Sequence, residues 1–291
     1  MNIPQKKVAY LAKLKKLYDS LKVDKNSLLT MIEESELSES VYNSNAIENS
    51  TLSLPQTEKI LLEMEVAKNL DLREVYEAQN LAHITNYMRE KANANQLDRE
   101  TIILLHQILL GNIDSTISGR FRKQHEYVQV GIHIAPAPEH IDQMIENAFL
   151  DYSSDHAEHF LTRIARFHLQ FETIHPFNDG NGRIGRIAIN WQLMRLGFPP
   201  IIIRNKGKNT YYDTFGKYRG TEQIYPLTKI LYLALTESFH KRITYLSGLK
   251  IIKLTDHAKQ IGQPTPNVLN SALRQTIPAF REQGVWKIGV K

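Results

Sequence analysis

Residues 161–196 constrain what this chain can fold into more tightly than any other stretch. Ile164, Phe167, His168 and Phe171 recur at i, i+3, i+4 and i+7, which gives Leu161–Glu172 one buried helical face. A twelve-residue stretch, HPFNDGNGRIGR (His175–Arg186), follows that helix. From Ile184 to Leu196 a helical period resumes, until Gly197 and Pro199-Pro200 end it. The chain must therefore build two core helices and turn a polar loop between them inside the protein.

The remaining sequence supplies helices to pack around that pair. Residues 5–22 carry Val8, Leu11, Leu14, Leu17, Tyr18 and Leu21 at helical spacing. Ser27 reads as the cap of a segment through Leu28, Leu29, Ile32 and Glu33, and another helix starts near Pro55 with Ile60, Leu61 and Met64 on one side. Further helices are expected over about 72–92, 99–110, 141–152, 209–217 and 226–246. The exception is EYVQVGIHIAP, where Val128, Val130, Ile132 and Ile134 alternate at period two around Gly131 and predict a short β-hairpin. After a composition shift near Gly248, residues 254–262 and 265–275 read as two helices before a strand-like tail ending at Trp286–Ile288. The fold class is thus all-α, with a hairpin flap and a small helix-turn-helix or winged-helix-like C-terminal module. Three regions are expected: 1–84, 85–247 and 248–291.

Composition narrows the function classes. With 291 residues and 42% apolar content the chain is an ordinary globular one, and no window approaches the run of about 18 apolar residues that a membrane span needs. The N-terminal segment reads as an amphipathic helix rather than a signal peptide. The absence of cysteine removes disulfides, thiolate metal sites and a cysteine nucleophile, so a cytoplasmic location is expected. A net charge of +5 permits nucleic acid or nucleotide partners without demanding them.

The loop itself holds more chemistry. Gly180, Asn181 and Gly182 can aim successive N–H groups at one anion, at the start of a helix whose dipole also favours negative charge. Arg183 and Arg186 follow three apart on that helix. Asp179 could hold Mg²⁺ beside phosphates, and His175 titrates near neutrality and could take a proton from a hydroxyl. Phe177 reads as the loop's anchor in the core, Asn178 as loop surface, and Asn190 as a support on the face of Arg183. Singly, a histidine before proline, an arginine pair and a GNG turn are commonplace structural features. Together in twelve residues they describe phosphoryl or nucleotidyl transfer.

His175–Arg186 meets at every position the pattern HPFx[D/E]GNGRxxR, and on those residues the chain resembles the Fic family. GRFRKQHEYVQVGIHIAPAP, from Gly119, looks like that family's approach segment and target-docking flap, with Val128, Val130 and Ile132 as docking residues. NTYYDTFGKYRG looks like its adenine-closing region. The resemblance implies AMP transfer from Mg-ATP to a Ser, Thr or Tyr hydroxyl of a target protein, or of the chain itself. His175 would be the base, Asp179 the magnesium ligand, Gly180, Asn181, Gly182, Arg183 and Arg186 the phosphate holders, and Tyr211 or Tyr212 the adenine lining. Relatives often carry an asparagine shortly after the tyrosine pair, where this chain has Arg219.

Ser44-Asn45-Ala46-Ile47-Glu48-Asn49 fits the family's inhibitory pattern [S/T]xxxE[G/N]. That resemblance implies that Ser44, Glu48 and Asn49 form an inhibitory site, with Glu48 pairing Arg186 and withdrawing it from the γ-phosphate. Winged-helix-like appendages are frequent in the family. The C-terminal module could use Asn267, Asn270, Ser271 and Arg274 to bind DNA or a protein, or serve only in packing. Three other readings stay open at this point: a DNA-binding regulator with a little-active Fic core, an enzyme using another phosphorylated donor, and one removing AMP. A homodimer is also among the partners left open.

Overall fold

The computed structural model describes residues 3–67, 69–154 and 157–291. In chain order these form α1 (Gln5–Leu21), α2 (Asn26–Ile47), α3 (Leu54–Glu58) with a π-helical turn over Lys59–Glu63, α4 (Leu72–Lys91) and α5 (Arg99–Leu109). Strands β1 (Gln129–Val130) and β2 (His133–Ile134) come next. They are followed by α6 (Ile141–Ser154), α7 (Phe160–Ile174), α8 (Asn181–Arg195), α9 (Lys208–Thr221) and α10 (Tyr225–Leu246). The chain ends with β3 (Lys250–Lys253), α11 (Leu254–Gln260), α12 (Thr265–Leu273), β4 (Ala279–Glu282) and β5 (Val285–Val290). Helix takes 64% and strand 6%, so the mainly helical class holds.

Two hydrophobic cores share α7 and α8. Phe167, Phe171 and Ile174 of α7 enter a core with α4, α5 and α6, while Leu161, Ile164 and Leu169 face a second core with α1, α9 and α10. On α8, Ile184, Ile187 and Trp191 join the first core and Ile189 and Leu193 the second. A helix packed from both sides keeps no broad polar face. The loop between α7 and α8 is therefore fixed by core packing at both of its ends.

The hairpin pairs β1 with β2 antiparallel, Gln129 opposite Ile134 and Val130 opposite His133, across a turn at Gly131, whose φ is +60°. The C-terminal segment has its own core of Leu254, Ala258, Val268, Ala272, Ala279 and Ile288. It is covered by an antiparallel sheet in the order β3-β5-β4. β3 had no sequence signal of its own, because four residues pair there with a strand more than thirty positions away.

Two local expectations fail. Ser27 lies inside α2, whose N-cap is Lys25, because Asp24 turns the chain one step earlier at φ 57°. Met64 leaves the packed side expected for it: it ends the π-helical turn at φ 55° and is 82% exposed.

Candidate active site

His175 terminates α7 in the left-handed region (φ 50°, ψ 61°), its N–H still bonded to Phe171 O at 2.9 Å. That conformation turns the chain sharply into the loop. Phe177, fully buried, stacks on His106 with ring centroids 3.8 Å apart. Asn181 then staples the loop to itself: its Oδ1 accepts from Phe177 N–H and its Nδ2 donates to Phe177 O, both at 2.9 Å. The Asn181 carboxamide is thus engaged by the loop at both its oxygen and its nitrogen, and its backbone N–H faces the start of α8. Gly180 caps α8 at φ 83°, where a Cβ would lie 2.7 Å from Leu109 Cδ2. The first turn of α8 leaves the N–H groups of Asn181, Gly182 and Arg183 without acceptors inside the helix.

His106 of α5 holds the loop from below. Its Nδ1 accepts from Gly119 N–H at 3.1 Å, so its Nε2 carries the proton and donates to Asp179 O at 3.0 Å. Burial pushes its imidazole down to about 4. Burial likewise pushes the His175 imidazole down to about 4, aided by the Arg122 guanidinium and opposed by the Glu172 carbonyl. A neutral His175 keeps a lone pair able to accept a proton. Arg122 is 3% exposed and ties the flap to the loop, donating to His175 O, Glu126 O and Pro136 O, each at 2.9 Å.

The two motif arginines face different partners. Arg183 pairs Asp179 Oδ1 at 3.0 Å and Glu77 Oε1 at 3.1 Å. Arg186 is claimed from α2: its Nη2 lies 2.8 Å from Glu48 Oε1, and it donates to Ser44 Oγ at 2.9 Å and Ser44 O at 2.8 Å. Burial works against the Arg186 charge, but Glu48, Tyr211 and Glu172 together outweigh it, so the group titrates above its usual range. Its Nη1 is buried with no hydrogen-bond partner among the described residues. Glu48 also overlies Gly182, where a Cβ would come within 2.2 Å of Oε1.

The last turn of α2 is closed by Asn49 at φ 70°, with Asn49 N–H bonded to Ala46 O at 3.1 Å and Ser50 N–H to Asn45 O at 3.1 Å. This is a Schellman end, which requires a left-handed residue and so favours glycine or asparagine. Lys208 Nζ donates to Asn49 Oδ1 at 2.6 Å and the Tyr212 hydroxyl to Ile47 O at 2.8 Å. Tyr212 therefore stands against the α2 terminus. Tyr211 is 1% exposed, with its hydroxyl 2.7 Å from His168 Nε2. Behind the motif, Glu172 is also buried, 3.7 Å from His168. Burial, then the Glu48 carboxylate, pushes its carboxyl up to about 8.

The flap exposes Val130 (44%) and Ile132 (100%), with Val128 half-buried at its base. His133 Nε2 lies 2.8 Å from Thr173 O and pins the hairpin to α7. Asn190 does not support Arg183 from behind. Its side chain bonds both the N–H and the carbonyl of Ile201, at 2.8 and 3.0 Å, and so fixes the segment before α9. His106, Arg122 and the α4 pair Arg73 and Glu77 belong to the site, and sequence reading missed them. The left-handed loop conformation is legible only through their contacts.

The donor set around Asp179 bears on its fitness as a magnesium ligand. Its carboxylate is 34% exposed, with Oδ2 on Arg73 Nη2 at 2.6 Å and Oδ1 on Gly180 N–H at 2.6 Å. No group of three or more His, Cys, Asp or Glu able to hold a metal occurs among the described residues. One hard carboxylate at an anion-binding helix end suits magnesium that arrives with phosphates and keeps its waters. Arg73, 55% exposed, is the partner that would give way. No helix among the described residues is long and apolar enough to cross a membrane.

Comparison with known proteins points the same way. Residues 96–193 match the Fic/DOC family model. A "Protein adenylyltransferase Fic" of Aedes aegypti is 31% identical over 194 residues, covering 65% of this chain and 38% of its own length. The protein of that name from Drosophila melanogaster is 31% identical over 262 residues, 84% of this chain and 50% of its own. This chain thus spans half or less of these curated relatives. A solved Fic domain containing signaling protein from Bacteroides thetaiotaomicron superposes with TM-score 0.74 at 24% identity, over 81% of this chain and 96% of that one. C. elegans Fic-1 (aa134–508) gives TM-score 0.66 at 26% identity, over 81% and 72%.

Proposed function

Since residues 96–193 make this chain a member of the Fic/DOC family, we propose that it is an autoinhibited protein adenylyltransferase, moving AMP from ATP to a hydroxyl of a target protein. Neutral His175 takes the proton of the attacking hydroxyl. The N–H groups at the α8 N-terminus, with Arg183 and Arg186, bind the phosphates and hold the α-phosphorus in line. Magnesium, held by Asp179 and the phosphates, would neutralise the charge on the leaving pyrophosphate. The flap, fixed by Arg122 and His133 to α7 and the loop, presents Val130 and Ile132 to an extended target segment. Tyr212, beside the α2 terminus, is the tyrosine better placed to meet adenine, Tyr211 being enclosed against His168.

One observation carries the reading: the 2.8 Å Glu48–Arg186 pair, which sets a carboxylate over Gly182 where phosphate oxygens would lie. A nucleotide meeting that carboxylate is repelled at its γ-phosphate and loses Arg186 as a partner. The test of the chemistry uses ATP labelled on either the α- or the γ-phosphate, with the chain and a cell lysate. Label should enter protein from the α position only, and His175→Ala should lower it by about 10²–10⁴-fold. Transfer of the γ label would establish phosphoryl transfer instead and reject the proposal.

A further inference from the structure

Arg73 puts a positive charge on the carboxylate that the magnesium would need. It is the second residue of α4, and the first turn of that helix is held on both sides. The Asp71 carboxylate accepts from Arg73 N–H at 2.8 Å, and Glu74 accepts from Thr51 N–H at 2.6 Å and from its hydroxyl at 2.7 Å. From that fixed backbone the Arg73 side chain closes a ring of alternating charge. Its Nη2 meets Asp179 Oδ2 at 2.6 Å, and Asp179 Oδ1 meets Arg183 Nη2 at 3.0 Å. Arg183 Nη1 then meets Glu77 Oε1 at 3.1 Å, which returns to Arg73 Nε at 3.2 Å.

The two halves of the ring differ. The side chains of Arg183 and Glu77 are 3% and 14% exposed and form its buried half, whereas those of Arg73 and Asp179 are 55% and 34% exposed. The two oxygens of Asp179 differ as well. Oδ1 is engaged by Gly180 N–H at 2.6 Å and by Arg183, while Oδ2 has Arg73 as its one partner among the described residues. Oδ2 is therefore the oxygen open to exchange. A guanidinium and a hard divalent cation compete for it, since both are positive and both need its lone pairs. Glu77 still holds Arg73 Nε when Nη2 lets go, so the guanidinium can pivot without leaving the site.

An unpaired Asp179 would set a full negative charge beside the N–H groups that start α8, where phosphate is to bind. A cation on Oδ2 cancels that charge. We infer that Arg73 is a built-in stand-in for the metal: it neutralises Asp179 at rest, so that nucleotide can enter without magnesium, and yields Oδ2 to magnesium that arrives with the phosphates. The inference rests on Asp179 being the metal ligand of a nucleotide-binding loop, and it makes Arg73 a positioning residue that acts through Asp179. Were Arg73 instead a direct phosphate ligand, its loss would weaken nucleotide binding with and without the metal.

The probe is ADP, which carries no γ-phosphate to meet Glu48. Calorimetric titration of the full chain is made in EDTA and in excess Mg²⁺, and the native chain should bind ADP in both. Arg73→Ala should bind about tenfold more weakly, or worse, in EDTA, yet no more weakly than the native chain in Mg²⁺. Arg73→Lys, which keeps the charge, should recover binding in EDTA. Equal weakening of Arg73→Ala in both media, no weakening in either, or a native chain that needs Mg²⁺ to bind ADP would overturn the inference and leave the nucleotide reading intact. No ADP binding by the native chain in either medium would overturn both together.

Discussion

Glu172 is an acid kept from ionising by the fold beneath the arginine that the nucleotide needs. Its carboxyl is raised from 4.5 to about 8, by burial first and by Glu48 second. A raised acid contributes stability that is fully present below pH 4.5 and is lost as pH rises through about 8. The histidines act with the opposite sign. His106 and His175 fall to about 4 and His168 to about 3, so their contribution is present above 6.5 and is lost as pH falls through those values. Thermal melts from pH 5 to 9 should therefore show a decline on the alkaline side that Glu172→Gln flattens; a parallel decline in that variant would assign it elsewhere. At this scale the sequence was only partly legible. The twelve motif residues stood out because their grouping depends on local spacing. His168 reads in the sequence only as part of a buried helix face and Glu172 only as the end of that helix, since their chemistry depends on Gly185 and Tyr211 packing against them from other elements.

The end of α2 decides where Glu48 points. Asn49 occupies the left-handed position of the Schellman turn at φ 70°, which any β-branched residue resists. Asn49→Val is expected to cost about 1–2 kcal/mol and raise basal AMP transfer as the turn frays, whereas Asn49→Gly keeps both near native values. Melting temperature measured beside labelled-AMP incorporation checks this. If Asn49→Val lowers stability without raising transfer, the turn is structural only. The sequence pattern that singled out Ser44, Glu48 and Asn49 carried no geometry. The structure supplies it: Ser44 and Glu48 lie one helical turn apart on Arg186, and Asn49 terminates the helix behind them. The hairpin followed directly from its period-two alternation and central glycine. β3 could not be read that way, because its partner β5 lies at the far end of the chain.

Across the whole molecule, α2 is bolted down by buried charges that no local pattern reveals. Glu36 pairs Arg242 at 2.8 Å and Lys241 at 3.2 Å on α10. Glu39 pairs Arg204 and accepts from Gly284 N–H, in the β4–β5 turn, at 3.0 Å. Glu237 joins Arg204 at 3.1 Å to Arg281 of β4. Glu39→Ala leaves Arg204 with Glu237 as its remaining partner and the Gly284 N–H unpaired, and should cost about 1–3 kcal/mol. It should also raise basal transfer by loosening the helix that carries Glu48, with melting curves and AMP incorporation as the readouts. Through Gly284 and Arg281 the C-terminal unit thus contacts the same charge network that holds α2. The decisive comparison is AMP incorporation from α-labelled ATP by the native chain, Glu48→Gly and the double variant Glu48→Gly/Arg186→Ala. If Glu48 acts by withholding Arg186, Glu48→Gly labels protein at least tenfold faster than the native chain, and the double variant loses that gain. Equal labelling by the native chain and Glu48→Gly would contradict it.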